Sequence, residues 1–293
     1  MSSAPEVDRA ALNRRRLLPI GVAVYLAVIF AVMLWRGVSI EPQWVALALL
    51  LVAVALGRGK AFIFDWLPFL VLFFAYEVMR GFAAKTGFAA HDITGLERFL
   101  FFGSLPTVTL QHWFYNPNLI GVQDWAAMVL YFLHFPVPLL VGFVFWWNRR
   151  EHYWRFVAAL LLMCFLAFIT YLFWPSDPPW YINKQDGVVK IIDETIRKWG
   201  VQYFVSPVYT NLNPNKFAAF PSLHAAFPAL GAMYAWSRYR WLALILIPYT
   251  ACVWIAIVYL GEHYFVDALA GLVYAVVATL LVEAFVRRAR PSS

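Results

Sequence analysis

Apolar runs of about 17–25 residues recur along this chain, and an α-helix needs about 20 such residues to cross the hydrocarbon layer of a membrane. Between the runs lie short polar or basic connections. The pattern predicts eight spans, near 17–35, 42–57, 62–82, 124–147, 153–174, 218–237, 240–260 and 264–286, the second being the shortest. In hydrocarbon a helix satisfies its own backbone groups, so the expected fold class is all-α, a polytopic transmembrane helix bundle of about eight spans. In "YFLHFPVP" of the fourth span, Pro136 and Pro138 follow His134 and predict a kink. Two connections are long. Residues 83–123 include "ERFLFFGSLPTVTLQHWFYNPN", aromatic and broken by glycine and proline. Residues 175–216 include "VVKIIDETIRKWG", where Val188, Val189, Ile192, Ile196 and Trp199 oppose Lys190, Asp193, Glu194, Arg197 and Lys198. That face pattern predicts a short amphipathic helix lying on the membrane surface.

Charge fixes an orientation. Arg14–Arg16, Arg58 and Lys60, Arg149, Arg150 and Arg155, Arg238 and Arg240, and Arg287, Arg288 and Arg290 all fall at one end of the alternating spans. Under the positive-inside rule that end is cytoplasmic, both termini included, and the long connections face outward. The chain is 63% hydrophobic and 13% charged, with a net charge of +7; a soluble domain has about 25% charged residues. Because the basic residues flank spans, topology explains them and nucleic acid is not an expected partner. No N-x-S/T sequon occurs, which fits a bacterial inner membrane. Cys164 and Cys252 both lie in apolar runs and read as small buried hydrophobes; no disulfide, metal or cofactor is expected. The opening "RRRLLPIGVAVYLAVIFAVMLW" starts like a secretory signal, but its apolar run is long and no small-residue cleavage site follows, so it reads as a retained span. The chain reads as one membrane domain, with a cytoplasmic tail and two spans over 1–60 and six spans over 61–293.

Polar residues inside such a chain are candidates for function. In "FAAFPSLHAAF" Pro221 suits the first turn of a helix. The amides of Ser222, Leu223 and His224 would then face outward and bind an anion, phosphate above all, with the Ser222 hydroxyl adding a donor. In "YLGEHYFVDALAG" His263 and Asp267 are four apart and share a helix face, so the carboxylate can hold one ring N–H and leave the other nitrogen as nucleophile or base. Both segments open spans at the same end, so His224 and His263 are expected at one depth, His263 attacking phosphorus while His224 protonates the departing oxygen. Taken singly, each histidine also reads as a helix–helix hydrogen bond. Lys216 reads equally as a phosphate partner and as a cation snorkelling to the surface. His134 reads first as a structural hydrogen bond. Glu77 and Arg80, one turn apart, read as a mutual pair, with steering of an anionic lipid as the second role of Arg80. Asp177 reads first as a turn former, with head-group contact second.

At these residues the sequence resembles the type-2 phosphatidic acid phosphatase superfamily, "PSLH" (Pro221–His224) matching its second motif and "HYFVD" (His263–Asp267) the core of its third. The closer likeness is to the branch of aureobasidin-sensitive inositol phosphorylceramide synthases, and "PSDPPWY" (Pro175–Tyr181) is similar to a further segment there. The resemblance implies a six-helix core, His263 as the nucleophile, Asp267 as its orienting acid and His224 as acid then base. It adds Tyr264, Trp180 and Tyr181 to the expected substrate contacts. The superfamily's first-motif lysine and arginine are missing from "ITYLFWPSDPPWY", and Ala256 and Ile257 stand where its third motif has Ser-Arg. A phosphodiester carries one negative charge and needs fewer cations than a phosphomonoester. The sequence therefore favours a phosphotransferase that moves a diester head group, such as inositol phosphate, from a phospholipid to a hydroxyl of a second lipid or glycan. A lipid-phosphate or prenyl-pyrophosphate phosphatase with water as acceptor is the alternative, and a non-enzymatic transporter or scaffold the third class.

Overall fold

The computed structural model describes residues 42–83, 87–199, 215 and 218–289. Helices α1 (Pro42–Ala55) and α2 (Gly59–Ala83) come first, and α3 (Thr94–Leu100) and α4 (Pro106–Phe114) lie in the first long connection. Then come α5 (Val122–Phe132), α6 (Pro136–Asn148) and α7 (Arg150–Phe173). The second long connection carries α8 (Pro179–Ile182), a 3₁₀ turn (Asn183–Asp186) and α9 (Ile191–Trp199). Last are α10 (Leu223–Trp236), α11 (Arg240–Tyr259) and α12 (Phe265–Ala289). Helices α2, α7, α11 and α12 are long and apolar enough to cross a membrane, and α5 with α6 are together apolar and long enough for one more, as a pair bent by 51°. The protein is an all-α polytopic membrane bundle.

Pro136 takes the first turn of α6, where its missing N–H costs nothing, and the chain turns at Leu133–Phe135 just before it. The predicted kink is therefore a full break. Two expected spans are shorter than their apolar runs, since α1 and α10 have 14 residues each. The run near 17–35, Arg14–Arg16 and Lys216 lie outside the described residues.

Arg58, Arg150 and Arg155 gather at one end of the bundle. Arg58 donates to the Trp147 carbonyl at 2.9 Å, and Arg155 reaches from α7 to Glu283 of α12 at 3.2 Å. Buried Asp65 accepts from Trp146 Nε1 at 2.8 Å and from Arg150. Between α2, α6 and α7 aromatic rings fill the core, Trp66 stacking on Tyr153 at 5.3 Å. Both long connections sit at the opposite end.

Two expectations are corrected. Helix α9 turns its apolar face into the protein, where Ile191, Ile192 and Ile196 are buried and Trp199 meets Trp125 of α5 edge-on at 4.3 Å. A protein surface, rather than lipid, covers that face. Cys164 is buried, but Cys252 is exposed on the side of α11, because a small thiol on a span is as compatible with lipid as with a core.

Candidate active site

Helix α11 ends at Leu260, and Gly261 follows with φ +78°. The Gly261 amide donates to Val258 O at 3.1 Å and the Glu262 amide to Ile257 O at 3.2 Å, the paired bonds of a glycine-terminated helix end. A Cβ at 261 would lie 2.9 Å from the Val189 carbonyl, so the turn needs glycine on both counts. This reversal delivers His263 to the start of α12. There Glu97 of α3, fully buried, accepts the amides of Phe265 and Val266 at 2.9 and 3.0 Å. Burial pushes the Glu97 carboxyl up from its ordinary value, while these two amides pull it back. Asp267 Oδ2 accepts the Tyr264 amide at 2.8 Å, so this acid also caps its own helix.

Helix α10 begins one residue after Ser222, whose Oγ accepts from the Ala225 amide at 3.4 Å. Pro221 lies before the cap rather than in the first turn. The Ser222 amide is not free for an anion: it donates to the Asp267 carbonyl at 3.0 Å. One turn along α12, a Cβ on Gly271 would stand 2.3 Å from the Ser222 carbonyl. Only a glycine allows α10 and α12 to approach this closely, and the close approach brings the histidines together. His224 Nδ1 and His263 Nε2 are 3.0 Å apart. His263 Nδ1 lies 2.9 Å from the Ala219 carbonyl and 3.4 Å from Asp267 Oδ2. The expected His–Asp pairing is thus present at longer range, and the carbonyl is the nearer acceptor. A ring N–H directed at these oxygens leaves His263 Nε2 with its lone pair.

His224 and His263 line a small pocket with Tyr76, Glu77, Arg80, Tyr131, His134, Tyr171, Asn215, Leu223 and Glu262. Among the described lining residues, Arg80 is the guanidinium, and it donates to Glu77 at 2.9 Å. The pair expected from the sequence is present, and it faces the histidines. Tyr171 holds the segment before α10 by donating to the Pro221 carbonyl at 2.6 Å. The other sequence candidates fall outside the lining. Tyr264 is buried with its hydroxyl against Thr94 at 2.8 Å and Asn183 at 2.5 Å, tying the two long connections together. Trp180 donates its amide to Gly261 O at 3.0 Å and its ring meets the Lys190 ammonium, while Tyr181 is exposed beside Lys184. Asp177 precedes the lining residue Pro178, with Oδ1 buried and unpartnered; burial, with the Asp92 charge near, pushes its carboxyl up. Sequence reading passed over Glu97 and Tyr131, which only tertiary packing brings to the histidine segments, and Glu262, which directly precedes His263 but belongs to no recognised motif.

Residues 91–281 match the PAP2 superfamily, a stretch that contains both histidines, Asp267, the second long connection and the first from residue 91 onward. The chain belongs to this superfamily. Within it, the phosphoinositol dihydroceramide synthase of Bacteroides thetaiotaomicron is 31% identical over 185 residues, 59% of this chain and 58% of that protein. The inositol phosphorylceramide synthase catalytic subunit of Schizosaccharomyces pombe is 26% identical over 214 residues, 60% of this chain and 46% of its own. The inositol phosphorylceramide synthase of Candida albicans is 27% identical over 168 residues, 52% of this chain and 34% of its own. The match thus spans 58% or less of each relative's length. No solved structure matches the chain.

Proposed function

We propose that this PAP2-superfamily protein is a membrane phosphotransferase that moves a phosphodiester head group from a phospholipid to a hydroxyl of a second lipid. The relatives' names support inositol phosphate as the head group and a ceramide as the acceptor. The carrying observation is the His224–His263 pair at 3.0 Å with Asp267 behind it, in a pocket whose guanidinium is already offset by Glu77. In this reading phosphate binds by parting the two rings. His263 Nε2 forms a bond to phosphorus, and the diacylglycerol oxygen departs with a proton from His224. The acceptor hydroxyl then gives its proton to His224, its oxygen bonds to phosphorus, and the P–N bond breaks. Arg80 steers the single negative charge of the diester. Two carboxylates in the lining, Glu77 and Glu262, disfavour the dianion of a phosphomonoester, which supports transfer over phosphatase action. The six-helix core over 61–293 is the catalytic unit, with both termini cytoplasmic and the site at the outer face of a bacterial inner membrane.

The test uses purified protein in vesicles of phosphatidylinositol, with and without ceramide. The expected outcome is acceptor-dependent loss of the diester and a phosphodiester adduct on His263. His263→Ala removes both, and His224→Ala lowers turnover roughly 10²–10⁴-fold, the range a positioned acid–base group supplies. Turnover that survives His263→Ala, or phosphate released from a monoester without acceptor, overturns the reading.

A further inference from the structure

The break between α5 and α6 places Tyr131 and His134 against His224. The Tyr131 ring stacks on the His224 ring at 4.3 Å between centroids and 24° between planes. The His134 ring lies 3.9 Å from the same ring, and its Nδ1 is held by the Tyr131 carbonyl at 2.6 Å. Tyr131 lies in the last turn of α5 and His134 in the break itself, where the chain bends by 51° into α6. His224 Nδ1 faces His263, while its Nε2 is buried with no hydrogen-bond partner.

We propose that Tyr131 is a positioning residue whose ring face stabilises His224 in its protonated form, and that the broken span delivers this seat. A cation within about 6 Å of an aromatic face is attracted by the ring quadrupole, more strongly once water is excluded. This rests on the reading that His224 carries the proton between leaving and accepting oxygens. Other groups around the pocket set the background for that proton. His263 just before α12 and His134 add no charge while neutral, and the Asp267 carboxyl lies behind His263. On α2 the Arg80 charge is offset by Glu77, Glu262 is a second carboxylate, and Tyr76 and Tyr171 complete the lining. An aromatic face stabilises a cation without competing for the proton, as a further carboxylate would.

The experiment follows the titration of His224 by nuclear magnetic resonance in purified protein with ¹⁵N-labelled histidines, the His224→Gln protein identifying the signal. Removing the aromatic face makes the cation less stable, so the midpoint moves to lower pH. The expected shift for Tyr131→Leu is roughly half to one and a half pH units, from the usual strength of such contacts. Tyr131→Phe keeps the face and is expected to titrate near the wild-type midpoint. Should Tyr131→Leu fail to fold, ring-fluorinated phenylalanine at position 131 keeps the shape while abolishing the negative face, and the same downward shift is expected. An unmoved midpoint with the face removed, an equal shift in Tyr131→Phe, or a wild-type His224 that stays neutral until the protein unfolds overturns the proposal. The titration needs no substrate. Absence of lipid transfer by the wild type therefore counts against the proposed function alone.

Discussion

A buried carboxylate that accepts two backbone amides, as Glu97 does from Phe265 and Val266, replaces the water those amides would otherwise bond. Glu97→Ala removes both acceptors at once. The expected cost is at least about 1–3 kcal/mol, the usual penalty for leaving a buried donor unpaired. Glu97→Gln keeps one acceptor oxygen and is expected to lose less. Thermal unfolding in vesicles compares the two; equal losses would show that the cap is not what Glu97 contributes. Turnover is expected to fall with Tm in Glu97→Ala, because the amides it caps belong to the first turn after His263. Arg80 belongs to the same scale. Arg80→Lys keeps a charge but loses the planar fork, so KM for the phospholipid is expected to rise more than kcat falls, and an unchanged KM would remove Arg80 from the binding step.

At the scale of elements, the contact of α10 with α12 decides the histidine separation. It depends on three groups in register: the Ser222 amide on the Asp267 carbonyl, the Ser222 carbonyl over Gly271, and the bare Cα of that glycine. In Gly271→Ala the new methyl meets backbone rather than a side chain able to turn away, so the helices themselves must separate. Overpacking of this kind costs typically about 1–3 kcal/mol. Activity is expected to fall further than stability, since a small misplacement of reacting groups can cost about 10²-fold; transfer assays and unfolding of the same preparation test this. Retained activity in Gly271→Ala would mean that the pair tolerates a wider gap. The contact was half legible. The sequence placed His224 and His263 at the mouths of two spans opening at one end; the structure has them at the starts of α10, a helix of 14 residues, and of α12. It gave no sign that the Ser222 amide is spent on Asp267, because that bond joins residues 45 apart in the chain through packing alone.

Across the whole molecule, the two long connections form a cover tied down at a few points. Gln111 donates from Nε2 to the carbonyls of Val189 and Tyr259, both at 2.8 Å, and accepts the Val189 amide on Oε1 at 2.8 Å. One side chain thereby joins α4, the approach to α9 and the end of α11. Gln111→Leu is expected to raise amide hydrogen exchange over residues 188–196 while leaving the arginine end unchanged; uniform exchange along the chain would assign Gln111 a general rather than local role. The apolar face of α9 shows where pattern alone stops. Its apolar stripe fits a membrane surface as well as a protein groove, and only the packing of Ile192 and Ile196 against the bundle chooses between them. Cys252 met the opposite fate for the same reason.

By itself the sequence determined the helical membrane class, four of the eight expected spans and a bend at Pro136, since a span must be long and apolar and proline cannot join a helix ladder from within. It also marked His224, His263 and Asp267, whose polarity is costly in hydrocarbon. Only the tertiary structure decided which nitrogen faces which, that Arg80 with Glu77 shares their pocket, and that Tyr131 covers His224. Those facts depend on distances between residues far apart in the chain, fixed by how closely helices approach rather than by any local pattern.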